Sequence, residues 1–113
     1  MNVEQVRRIA LALPSATEEP HFDYASFRIG GKIFATLPPD EQHLHVFVDE
    51  EQRQIALALE PGVTEKLLWG KRVVGLRLQL AAAKPPLVKR LLAQAWSRKA
   101  PSACSTQPPF ATS

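Results

Sequence analysis

The sequence predicts an α+β fold in which helices cover one antiparallel sheet. Three observations predict it. Apolar residues recur at helical spacing in two segments and alternate at strand spacing in others, and a Gly30-Gly31 pair sits between two short β-like runs. Prolines or glycines punctuate the boundaries, with ten prolines and five glycines in 113 residues. The expected order is α-β-β-β-α-β(β)-α, a two-layer domain with about five strands.

The first helix starts at Asn2, because Gln5 stands at capping-box spacing from it. Val3, Val6, Ala10 and Leu13 form its apolar stripe, Leu11 lies off that stripe, and Pro14 ends the run. Residues 15–23 read as a polar, proline-containing connection. Residues 25–29 and 32–37 flank the two glycines as a hairpin, since glycine tolerates the positive φ of a tight turn. That turn sets Phe27 opposite Phe34 on one face and turns Arg28 to the other.

A turn at Pro38-Pro39-Asp40-Glu41 leads to a third strand, where Leu44, Val46 and Val48 alternate with His43, His45 and Phe47. Asp49 and Gln52 repeat the capping spacing and open a second helix over residues 50–59, which Glu60-Pro61-Gly62 terminates. Trp69-Gly70 opens a connection into the alternating Val74, Leu76, Leu78 and Leu80, with Arg77 and Gln79 facing away. The third helix begins at Pro85 or Pro86, which the first helical turn accepts. Its stripe is Leu87, Val88, Leu91, Leu92, Ala95 and Trp96, and Lys89, Arg90, Ala93 and Ser97 lie on the other side. The repeated wording RRIALALP and RQIALALEP reflects two similar helix endings, since it occurs once and has no recurring period.

Composition narrows the setting. Cys104 is the single cysteine, so no internal disulfide forms and a reducing compartment is expected. The first apolar run is five residues long, too short for a signal-peptide core, and no stretch reaches the roughly 18 apolar residues of a membrane span. A cytoplasmic protein without membrane contact is the resulting expectation. The net charge of +3 conceals an asymmetry: residues 1–65 hold five basic and eleven acidic side chains, and residues 66–113 hold nine basic and no acidic ones. Such polarity suits a polyanionic partner if the fold gathers the cations.

Local wording then resembles the MmcQ/YjbR family over about residues 3–99. The residues that carry the likeness are Leu11-Ala12-Leu13-Pro14, Glu18-Glu19 with His21, Phe27-Arg28, Gly31-Lys32 with Phe34-Ala35, Trp69-Gly70-Lys71 and Ala95-Trp96. The resemblance implies a YjbR-like domain over 1–99, with an architecture also found in secretion-chaperone-like and frataxin-like proteins, and a DNA-binding role through a double wing of hairpins. The chain departs from the family pattern at Gly75-Leu76, where a second tryptophan is common, and at Ala83-Lys84-Pro85, where an acidic cap is common. Residues 100–113, rich in Pro, Ser, Thr and Ala, read as a disordered tail.

The candidate DNA-binding residues are Arg28 and Lys32 around the first hairpin and Lys71, Arg72 and Arg77 near the late strand. Cations of this kind neutralise phosphates and release counterions, while the competing reading makes them solvated side chains or partners of Glu18, Glu19, Glu50 and Glu51. His43 and His45 share a strand face, but zinc needs further ligands from His21, Asp40 or Glu41, so no metal site is assigned. Glu18, Glu19, His21, Asp23 and Tyr24 form the densest acid-base cluster, which reads as a hydrogen-bonded loop without a complete catalytic motif. Trp69 is expected in the core or on its rim, and Trp96 in the core.

The function expected from the sequence is therefore non-enzymatic DNA binding of low sequence specificity, with no catalytic residue, metal or cofactor, by a monomer. The alternative is a protein- or peptide-interaction module using the sheet or its grooves.

Overall fold

The computed structural model describes residues 1–100. Its elements are α1 (Val3–Leu11), β1 (Thr17–His21), β2 (Tyr24–Ile29), β3 (Lys32–Leu37), β4 (His43–Val46), α2 (Glu50–Leu59), β5 (Thr64–Trp69), β6 (Arg72–Gln79) and α3 (Pro85–Lys99). The strands form one open antiparallel sheet of six, in the order β1-β2-β3-β4-β6-β5. Helix α3 lies across β2, β3 and β4 with α1 packed on it, while α2 packs against β5 and β6. Among the described residues no helix covers the other face of the sheet.

Capping residues fix the helix starts. Asn2 Oδ1 accepts from Gln5 N–H and Gln5 Oε1 accepts from Asn2 N–H, both at 2.9 Å, which completes the capping box. Asp49 Oδ1 accepts from Gln52 N–H at 3.0 Å at the start of α2. Helix α3 has no side-chain cap and begins on Pro85 and Pro86, whose missing N–H groups need no acceptor in the first turn. Helix α1 stops at Leu11, two residues short of the expected Leu13, because the residue before Pro14 is sterically driven out of helical conformation.

The expected polar connection at 15–23 contains a strand. Thr17–His21 pairs with β2 at the sheet edge, where Pro20 costs no ladder bond on the open side, and its charged residues discourage pairing with another chain. Glu18 reaches α1, accepting from Arg7 Nε at 2.7 Å. The late hairpin is likewise longer than expected: Trp69 ends β5, and Gly70-Lys71 turns the chain directly into β6, with Gly70 at φ 63°. The sheet thus has six strands, against about five expected.

The first hairpin turns at Gly30 and Gly31, at φ 59° and 79°, but its register differs from the expected one. Phe27 pairs with Ala35 and Arg28 with Ile33, so Phe34 is the extra residue of a β-bulge. The bulge lets Phe34 and Ala35 both face the helices, and Phe27, Phe34 and Ala35 are all fully buried. Burial of two aromatic rings outweighs the regular ladder here. The same core holds Leu44, Val46, Leu76 and Leu78 from the central strands and Val88, Leu91, Leu92 and Trp96 from α3. Trp96 Nε1–H donates to the Pro14 carbonyl at 2.9 Å, tying the end of α1's loop to the last helix.

Among the described residues no helix is long and apolar enough to cross a membrane. Ala100 closes α3, its N–H bonded to the Trp96 carbonyl, and the remainder of the expected tail, with Cys104, lies outside the described residues.

Candidate nucleic-acid interface

Register decides which side chains reach the open face. Alternation along each strand sends Arg28 on β2, Ile33 and Thr36 on β3, His45 on β4 and Arg77 on β6 away from the helices, because their cross-strand partners Arg28↔Ile33, Thr36↔His45 and His45↔Arg77 share a side. These residues line a groove of about 930 Å³ on that face. Among the described residues its lining holds six cations, Arg28, Arg53, Arg72, Arg77, Arg98 and Lys99, and no carboxylate. Glu19 and Glu65, on the edge strands β1 and β5, flank the groove, and Glu65 Oε2 approaches Arg77 Nε at 3.5 Å.

The arginines are held in three ways. Arg28 Nε donates to Ser26 Oγ at 3.0 Å, and that hydroxyl donates to the Glu19 carbonyl at 2.7 Å, so the buried serine aims the guanidinium along the sheet. Arg53 from α2 and Arg98 from α3 donate to consecutive backbone carbonyls, Val48 at 3.3 Å and Phe47 at 3.1 Å, where the chain leaves β4. Arg77 is less satisfied. Its Nε is buried with no hydrogen-bond partner, and its Nη2 lies 3.3 Å from His43 Nδ1. That nitrogen also lies 2.8 Å from Asp40 Oδ2, an acceptor only, so it must carry the proton and cannot also accept from Arg77. Arg77 thus has an ion-pair partner in Glu65 but no hydrogen bond at Nε, and its side chain lines the groove.

Crowding of like charge shows in the ionisation of Lys99. Its ammonium pKa is lowered by burial first and then by repulsion from Arg98 and Lys32. An anion placed among these groups relieves both costs. His45 lies deeper in the floor, 7% exposed, and its imidazole is pressed from 6.5 to about 4 by burial, then by Arg77 and His43, against a smaller opposing effect of Asp40. It is neutral at physiological pH.

The groove is also aromatic. His21 and Phe22 meet edge to face at 4.9 Å, Tyr24 and His45 lie tilted at 6.1 Å, and Phe47 and Trp69 meet edge to face at 5.8 Å. All six residues line it. Trp69, expected in the core or on its rim, stands on the rim at 64% exposure.

Of the five candidate cations read from the sequence, the fold brings Arg28, Arg72 and Arg77 into the groove. Lys71 sits exposed in the β5–β6 turn, and Lys32 sits exposed at the start of β3, close enough to lower the Lys99 pKa. Arg53, Arg98 and Lys99 were not legible as site residues, since two helices deliver them. The late half's positive charge is divided: Arg72, Arg77, Arg98 and Lys99 join the groove, while Lys84, Lys89 and Arg90 stay with α3 outside its lining.

The other candidate clusters come apart. Glu18 turns to Arg7 on the helix side, whereas His21 turns to the groove. His43 is engaged by Asp40, and no group of three or more potential metal ligands occurs among the described residues.

The YjbR family model matches residues 11–98, well over half of the chain. The chain belongs to the YjbR family. Its fold is shared with the crystal structure of Deinococcus radiodurans protein DR2400, a DUF419-domain protein, at a TM-score of 0.70 and 19% sequence identity, over 85% of this chain and 76% of that one. No functionally curated protein matches the chain. This YjbR-family chain gathers in one groove cations from the open sheet face and from the helices α2 and α3. A Cβ at Gly75 would collide with the Val46 carbonyl oxygen, so no side chain fits there.

Proposed function

We propose that the protein is a DNA-binding module rather than an enzyme, and that its open sheet face holds the phosphate backbone with low sequence specificity. The observation that carries this reading is the groove itself, with six cations and no carboxylate in its lining. Phosphate oxygens pair with the guanidinium groups that line the groove and offset the repulsion around Lys99, while release of condensed counterions supplies the driving force. Asparagine and glutamine, the side chains suited to reading adenine edges, are not among the lining residues, which supports weak discrimination between bases.

Fluorescence anisotropy with a labelled oligonucleotide tests the assignment. An Arg72→Ala/Arg77→Ala variant is expected to lose at least about tenfold in affinity, and a Lys84→Ala/Lys89→Ala variant, which removes two cations of the α3 segment, to lose less than about twofold. Equal losses from both variants would contradict a groove-centred site and indicate diffuse attraction.

A second reading has its own support. Strand β5 is an edge of the sheet, and Leu68 and Trp69 on it are exposed, as is Leu59 at the end of α2. An extended peptide could add to that edge and cover these apolar groups. Binding of that kind would survive high salt, whereas phosphate binding would not.

A further inference from the structure

Resting on the phosphate-binding reading, we propose that the groove receives a single strand of nucleic acid, with unstacked bases lying on its aromatic side chains while the arginines hold the phosphates. The aromatic groups supply the argument. A paired helix keeps its base faces stacked inside, so exposed aromatic rings gain nothing from a duplex, whereas each free base offers a face to stack on. Here the aromatic pairs run across the sheet from the β1–β2 turn, through Tyr24 and His45, to Phe47 and Trp69 on the far side; His45 and Phe47 are buried, His21, Phe22, Tyr24 and Trp69 are exposed, and the cations line the same recess. Arginines alone would serve a duplex. Rings and arginines sharing one recess suit a strand.

Phe22 strengthens the case from an independent direction. It occupies the two-residue turn between His21 and Tyr24, has φ 59°, and is 91% exposed. A bulky side chain in that backbone region is strained, and exposure denies it the gain of burial, so glycine or asparagine would make a more stable turn. The fold holds this ring out at the groove at a cost, with the edge of His21 as its one ring contact among the described residues, as expected of a ring whose open face serves a ligand. Trp69 mirrors it on the opposite edge, backed by Phe47 and mostly open to solvent.

Shape points the same way. The cations line a concavity of about 930 Å³. A cavity of this scale, within the range of roughly 300–1,000 Å³ typical of small-ligand pockets, admits a flexible strand that bends into it. Duplex readers instead push a helix or β-ribbon outward into a groove of the DNA.

The test is an anisotropy titration at low salt with labelled dT12, rU12 and a 12-base-pair duplex against the wild type, Trp69→Ala and Phe22→Gly. Phe22→Gly removes a strained, exposed side chain and so retains the fold. The expected result is single strands of either sugar binding at least about tenfold more tightly than the duplex, with each substitution weakening single-strand binding about tenfold and leaving duplex binding unchanged. Duplex binding equal to single-strand binding, with neither substitution having an effect, would overturn the single-strand inference and leave phosphate binding intact. Competition by dTMP as effective as by unlabelled dT12 would also overturn it, in favour of a mononucleotide pocket, as would equal displacement by polyglutamate. Failure of every nucleic acid to bind would instead remove the underlying reading.

Discussion

His45 on β4 stands directly across the ladder from Arg77 on β6, so a protonated imidazole there would sit beside a guanidinium in a largely buried position. Tyr24 from β2 and His43 from the same strand complete its surroundings, with Asp40 the one opposing charge. Burial and these cations hold its pKa at about 4, below the ordinary 6.5. The unfolded chain therefore takes up the proton first. Stability contributed by this residue is fully present above pH 6.5 and is lost as pH falls from there towards 4.

The expected loss at pH 4 is about 3 kcal/mol from this group. Urea unfolding of the wild type and His45→Gln at pH 7 and pH 4 measures it. The wild type should lose about that much more stability than the variant, and parallel pH dependence in the two proteins would count against the assignment. Asp40, whose pKa is lowered chiefly by the Gln42 backbone N–H, acts in a separate window, because its contribution is lost only below the ordinary 3.8.

Gly75 is fixed by close approach rather than by a turn. A Cβ there would strike the Val46 carbonyl oxygen and lie 3.1 Å from Phe47 Cα, both backbone atoms that cannot swing aside. Gly75→Ala should destabilise the fold by about 2 kcal/mol or more, read as a lower urea midpoint. Wild-type stability in that variant would contradict the close packing of β6 on the end of β4.

Phe22→Gly should do the reverse. Relief of the positive φ, with almost no burial to lose, is expected to raise stability by about 1 kcal/mol in urea unfolding. A less stable variant would mean that the edge-to-face contact of Phe22 with His21 outweighs the backbone strain.

Much of this architecture was legible because its signals are local. Asn2 with Gln5, Asp49 with Gln52, and Pro85-Pro86 announce helix starts through bonds made within a turn, and Leu76 and Leu78 announce a strand by alternation. Thr17–His21 carries no such mark: an edge strand exposed along most of its length needs no apolar alternation, and its Pro20 reads as a loop. The Phe34 bulge was equally hidden, since a two-residue turn predicts a regular ladder and only the demand of the core for both Phe34 and Ala35 breaks it. In the site, Arg28 and Arg77 followed from strand parity. Arg98 and Lys99 resemble ordinary cations at a helix C-terminus, favoured there by the helix dipole, and Arg53 resembles a solvated helix residue, so only packing reveals that all three meet the sheet.

The salt dependence of binding tests the central claim most directly. Affinity for the nucleic-acid form that binds more tightly, single or paired, should fall linearly on logarithmic axes between 50 and 200 mM salt, at about 0.7–0.9 in slope per phosphate neutralised. Arg72→Ala/Arg77→Ala should reduce the slope by about 1.5. A wild-type slope near zero, or one unchanged in the variant, would contradict phosphate capture by the groove.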